Sequence, residues 1–194
     1  MGRTNLSLLE SKGVRMNLID LQLKIHEQNK AKGWWDNHRS FSKLTNLNIS
    51  EVSEAVEADR RNLFDSKLTK YKGVPVEAAD GCIRSFDVLA SLGNESYEAS
   101  KMAIAIIENK PDDIDYLLAF SSWCFSMAWE FHELKNAPSA AKQYLVDAVN
   151  ALFVVIMKYG HNPVDLMLEK MEFNESRPDH LPENRQGKVG QKAY

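Results

Sequence analysis

Cysteine is scarce in this chain of 194 residues: there are two, Cys82 and Cys124, both inside apolar stretches with helical spacing. A secreted fold held by disulfides needs more, so both are expected to be reduced core thiols of a cytosolic protein. Long apolar runs are missing as well. The longest uninterrupted one, Ala151 to Met157, falls far short of a membrane span, and no apolar segment follows the opening MGRTNLS to form a signal peptide. Leu6 stands where a myristoylation signal wants Ser or Thr. No surplus of positive charge exists: 24 basic against 27 acidic residues argue against binding nucleic acid by charge alone. Phosphate-cradling glycine loops and nucleophile elbows are absent too. Cys and His do not occur at zinc spacing. None of His26, His38, His132, His161 and His180 follows a Glu by three residues, as di-iron bundles require.

What is present is helical periodicity almost from end to end. Leu18, Leu21, Leu23 and Ile25 open a helix expected to run to about Lys32 and stop at Gly33. Further helices are expected at about 42–61, 76–92, 97–109, 113–135, 139–159 and 163–174. The fifth is rich in large side chains, among them Tyr116, Phe120, Trp123, Phe125, Trp129 and Phe131. Strand alternation bounded by hairpin turns is lacking, so no sheet is expected. The fold class is all-α, with one domain over residues 1–174 and an extended tail over 175–194 that orders on a ligand.

Two acidic doublets share one internal spacing: Glu51-Val-Ser-Glu54 and Glu77-Ala-Ala-Asp80, with 22 residues between Glu54 and Glu77. Residues three apart on a helix are surface neighbours, about 60° apart around the axis. Val52, Ala55 and Val56 fill the sector beside the first pair, so its acids border the packed face. If the two helices pack antiparallel, four carboxylates converge at the edge of a core. Like charges at reduced dielectric repel and need a counter-charge, for which Mg²⁺ is the natural candidate. The plainer alternative is a solvated acidic face with Arg and Lys neighbours. Arg84 and Asp87 continue the stripe of the third helix and are expected to form an internal ion pair supporting it.

The acidic pattern resembles that of the all-α nucleoside triphosphate pyrophosphatases of the MazG type, whose signature is E-x-x-E followed by E-x-x-D. The stretch His26-Glu27-Gln28-Asn29-Lys30-Ala31-Lys32-Gly33-Trp34-Trp35-Asp36 is similar to the family's segment before the first acidic helix. Lys170-Met171-Glu172-Phe173-Asn174-Glu175-Ser176-Arg177-Pro178 resembles the K-M-x-x-N-x-x-R-P segment of phage and bacterial members. Near the C-terminus the chain departs from the family's compact ending, because Asp179 to Gln186 separate Pro178 from Gly187-Lys188.

The resemblance implies Mg²⁺-dependent hydrolysis of a nucleoside triphosphate to monophosphate and pyrophosphate, with Mn²⁺ as a substitute ion. It makes Glu51, Glu54, Glu77 and Asp80 the metal ligands and catalytic acids. Lys170, Arg177 and Lys188 become the cations for the pyrophosphate, with Asn174 as a neutral donor. Of Trp34 and Trp35, one is expected to stack on the base and the other to pack, while His26 and Asn29 face the base or sugar. Lys67, Lys70 and Lys72 read more simply as loop residues. Purine deoxynucleotides (dATP or dGTP), dCTP or dUTP, damaged nucleotides and ppGpp are the substrate choices. The expected assembly is a homodimer or homotetramer, in the cytoplasm or, for a phage-encoded chain, that of its host, with no nucleic acid or membrane partner. The competitor from another class is a non-catalytic helical interaction module.

Overall fold

A computed structural model describes residues 10–11, 14–15, 17–175 and 177. Local signals set the helix ends. Asn17 caps α1 (Leu18–Ala31) by accepting from the Ile19 amide, and the chain leaves that helix through Gly33 at φ +73°. Ser40 caps α2 (Phe41–Arg60) by accepting from the Lys43 amide. α3 spans Gly73–Ser91, α4 Lys101–Asn109 and α5 Ile114–Trp129, the last continuing into a π-helical turn over Glu130–Leu134. Pro138 starts α6 (Pro138–Lys158), and Pro163 starts α7 (Pro163–Glu175).

α3 is the structural centre: it packs against α1, α2, α6 and α7, while α5 packs against α2 and α6. Its buried set, from Val74 and Val76 through Cys82 and Phe86 to Leu89, occupies several faces, as a helix with neighbours on most sides requires. α2 and α3 run antiparallel, since Asn48 bonds Ser85, Glu51 bonds Arg84 and Ala58 meets Gly73. At that last pair a Cβ on Gly73 would stand 2.8 Å from the Ala58 Cβ, so the glycine sets how closely the two helices approach. Burial pushes both the Cys82 and Cys124 thiols well above their ordinary range, which suits inert core positions.

Three expectations change in detail. A two-residue antiparallel pair, β1 (Glu10–Ser11) with β2 (Val14–Arg15), precedes α1 where no sheet was expected; it leaves the fold all-α. α4 begins at Lys101, not Tyr97, because the preceding segment is pinned extended. The Tyr97 hydroxyl donates to Gln22, and Ser100 donates to Asp147 through both its amide and its hydroxyl. α6 is long and apolar enough by length and composition to cross a membrane, yet 67% of its apolar window is buried inside the protein. It is a core helix here.

Candidate metal centre

The two acidic doublets do converge, but three of the four acids form the cluster. Glu51 of α2 and Glu77 and Asp80 of α3 each bring a carboxylate oxygen within 4.8 Å of the others. Glu51 is buried, at 5% exposure, while Glu54 one turn on is exposed and stands outside the trio. The reason lies in the α2 stripe: the close α2–α3 contact turns Glu51 inward, and the next turn carries Glu54 to the rim. Glu77 and Asp80 are both raised, burial being the largest cause for each. Burial, then Asp80, then Glu51 and Glu54 push Glu77 up to about 8, with Lys170 opposing them. Asp80 is raised as well, chiefly by burial, with Lys170 pulling the other way.

Two cations are built into this cluster. Lys170 of α7 is 2% exposed, and its Nζ lies 2.7 Å from Asp80 Oδ2. Lys170, expected as a cation for pyrophosphate, is thus buried and paired with a carboxylate of the cluster. Burial of its long apolar stem carries the ammonium to Asp80. Arg84 donates from Nε to Glu51 Oε1 at 2.6 Å, so its carboxylate contact is with α2 and not with Asp87 as expected. Next to Lys170, Glu169 accepts from Tyr71 and pairs with Lys70, tying the 61–72 connection to α7. Lys67 is exposed, and Lys72 bonds Asn62.

Asp87, two turns along α3 from Asp80, organises a second cluster. It is buried, and three donors converge on it: Trp35 Nε1 to Oδ1 at 2.9 Å, Asn29 Nδ2 to Oδ2 at 2.7 Å, and His26 Nδ1 at 2.7 Å from Oδ1. Burial pushes its carboxyl above the ordinary range while these three contacts oppose the shift. His26, Asn29 and Trp35, expected as nucleoside-facing residues, are thus brought together on Asp87. Trp35 packs against the core edge-on to His26, with ring centroids 5.0 Å apart. Trp34 and Arg177 are partly buried. Asn174 sits near the end of α1, where its carbonyl accepts from Lys32 Nζ, and its side-chain oxygen is buried with no partner. Lys188 lies outside the described residues.

A cavity of about 540 Å³ opens beside the trio, lined by Ser40, Ser42, Lys43, Asn46, Leu47, Ser50, Glu51, Glu54 and Arg84. Eight of these nine belong to the α2 cap and helix, so one polar stripe leads from the helix start to the carboxylates. Sequence reasoning missed that stripe. The signal was available: Lys43, Leu47, Ser50 and Glu54 fall within about 60° of one another around the axis. Arg39, just before the cap, holds its guanidinium 5.2 Å from the centre of the Trp35 ring. Its Nε and Nη2 are buried and have no hydrogen-bond partner. Burial pushes its pKa down; Asp87 acts against that shift and Arg84 with it.

The donor set suits a hard dication. All three clustered groups offer oxygen, and burial together with the neighbouring acids pushes Glu77 up to about 8 despite Lys170. The chain matches no protein-family model, no curated protein and no solved structure.

Proposed function

We propose that this protein is a nucleoside triphosphate pyrophosphohydrolase of the MazG type, cleaving its substrate between the α- and β-phosphates. The observation that carries the reading is the Glu51, Glu77 and Asp80 trio, supplied by two antiparallel helices, with Glu51 also lining the cavity. The spacing of the two clusters also supports it. Asp80 and Asp87 are seven residues apart on one helix, or about 10 Å along the axis, comparable to a nucleotide from its base to its phosphates. The aromatic and amide groups around Asp87 would then face the nucleoside, and the acidic trio the phosphates.

In this reading Glu51, Glu77 and Asp80 hold Mg²⁺. The ion, when bound, neutralises the triphosphate and acidifies water for attack on the α-phosphorus. Glu54, at the rim and outside the trio, is the carboxylate left to take the proton of the attacking water. Arg84 and Lys43 stand on the cavity wall where charge collects on the departing pyrophosphate. Lys170 holds Asp80 in place. We propose purine deoxynucleotides as first substrates and a dimer or tetramer as the working unit, in the cytoplasm.

A competing reading has its own observation: Lys170 and Arg84 already pair two of the three carboxylates, as in a purely structural ionic network. One assay separates the two. Purified protein is incubated with each common dNTP, NTP and ppGpp, with Mg²⁺ or EDTA, and the products are resolved. Monophosphate and pyrophosphate from a restricted set, abolished by EDTA, is the expected result. Diphosphate and phosphate would place the attack on the wrong phosphorus, and no turnover would favour the structural network.

A further inference from the structure

Arg39 stands beside the cavity with an unsatisfied guanidinium. Two of its nitrogens are buried without an acceptor, although an unmade hydrogen bond to a buried guanidinium is costly. Its nearby acid gives no relief. Asp87 already takes contacts from His26 and Trp35 on one oxygen and from Asn29 on the other. Arg84, on the cavity wall, adds like charge to the same neighbourhood. Arg39 also adjoins Ser40, the first residue lining the cavity, and Lys43 stands one turn further along. Positive groups thus gather around the cavity, with Arg84 on its wall against Glu51, Lys43 on the α2 side and Arg39 next to Ser40, and of these Arg39 has two buried nitrogens without an acceptor.

We propose that Arg39 binds the distal phosphates of an oligophosphate ligand in this cavity, leaving its resting place on the Trp35 face to do so. A guanidinium suits this task because its planar fork can hold two phosphate oxygens at once. Trp35 stores the side chain in the free protein by cation–π contact, a weak interaction that an anion outcompetes. The choice of an oligophosphate rests on the proposed function, whereas a bare tripolyphosphate probe tests the anion site without requiring hydrolysis.

The test uses the full chain, with tripolyphosphate and Mg²⁺ as the probe, followed by tryptophan fluorescence and calorimetry. In the unaltered protein, binding is expected to shift the fluorescence as Arg39 leaves Trp35. Arg39→Gln is expected to weaken binding about tenfold or more, the usual loss for a charge-assisted phosphate contact. Arg39→Lys keeps the charge without the fork and is expected to recover part of the affinity. Trp35→Phe is expected to bind while losing the fluorescence shift. Circular dichroism checks that each variant folds. Equal affinity in Arg39→Gln and the unaltered protein, or no tripolyphosphate binding at all, would overturn the inference. A dATP analogue with an α,β-methylene bridge distinguishes the source of the phosphates. Binding of the analogue with the same Arg39 dependence fits a nucleotide. Arg39-dependent binding of tripolyphosphate alone keeps the anion site and removes the nucleotide.

Discussion

At the residue scale the decisive feature is that Glu77 keeps its proton to about 8. The folded, metal-free protein therefore binds more protons than the unfolded chain between the ordinary glutamate value, 4.5, and about 8. The sign follows: this group's contribution to stability is full below that ordinary value and is lost as pH rises through the folded one. Mg²⁺ is expected to reverse the trend, because it binds the folded state and needs the carboxylate ionised. In weakly buffered solution at neutral pH, Mg²⁺ binding should release about one proton, measurable by a pH indicator, and none above about pH 9. Glu77→Gln should release none, bind no metal and unfold at a higher temperature than the metal-free parent. Release unchanged in that variant would mean another group carries the proton.

Lys170 allows a second argument at the same scale. Removing one member of a buried ion pair leaves the other uncompensated, at a cost of about 3 to 5 kcal/mol. Lys170→Met should therefore destabilise the protein strongly in denaturant titration. Adding Asp80→Asn to it should restore most of the stability but no nucleotide turnover. A double variant as active as the parent would remove Asp80 from the proposed ligands. The sequence pointed to both residues, but not to their pairing. Lys170 is offered there as a cation for the ligand, and only the packing of α7 on α3 shows that its ammonium ends at Asp80. Arg84 was misread for the same reason, since its partner is 33 positions away on α2.

At the scale of elements, the helices were legible because apolar spacing, caps and terminating glycines agree with one another. α1, α2 and α7 lie within a residue of their expected ends. α4 starts four residues late, and α3 starts at Gly73, three residues before the expected Val76. Glycine in a first turn reads locally as loop, whereas here it is selected by contact with Ala58. That contact makes a prediction. In Gly73→Ala the new Cβ would come 2.8 Å from the Ala58 Cβ, with backbone close behind and nothing flexible to yield. The overpacking should cost about 1 to 3 kcal/mol, and Ala58→Gly in the same chain should relieve most of it. Gly81 is the control. A Cβ there would meet the end of the flexible Leu152 side chain at 3.1 Å, so Gly81→Ala should be near neutral. If Gly73→Ala were equally neutral by denaturant titration, the helix spacing would have another cause.

At the scale of the whole molecule the open matter is what the aromatic fifth helix does. In the sequence, α5 and α6 are equally good candidates for contact between subunits, because periodicity does not distinguish an apolar face that is covered by the same chain from one that is not. The fold separates them. α6 spends its apolar surface inside the subunit, against α3 and α5. α5 buries Leu117, Leu118, Phe120, Cys124 and Phe125, yet Trp123 is 41% exposed and Trp129 37%, and Leu134 beyond it reaches 67%. Trp123 and Trp129 lie about 120° apart around the axis, so the exposed apolar groups form a broad outer arc, and covering it would remove apolar surface from water. A proposed dimer built on that arc makes a definite expectation. The chain should run at twice its mass in light scattering, and Trp123→Lys with Trp129→Lys should halve the mass while circular dichroism stays helical. The Glu51, Glu77 and Asp80 trio comes from α2 and α3 of one chain. A monomeric variant that keeps Mg²⁺ binding but loses turnover would therefore show that assembly completes the substrate site and not the metal site. Equal mass before and after the double substitution would assign the α5 arc to some contact other than a second copy.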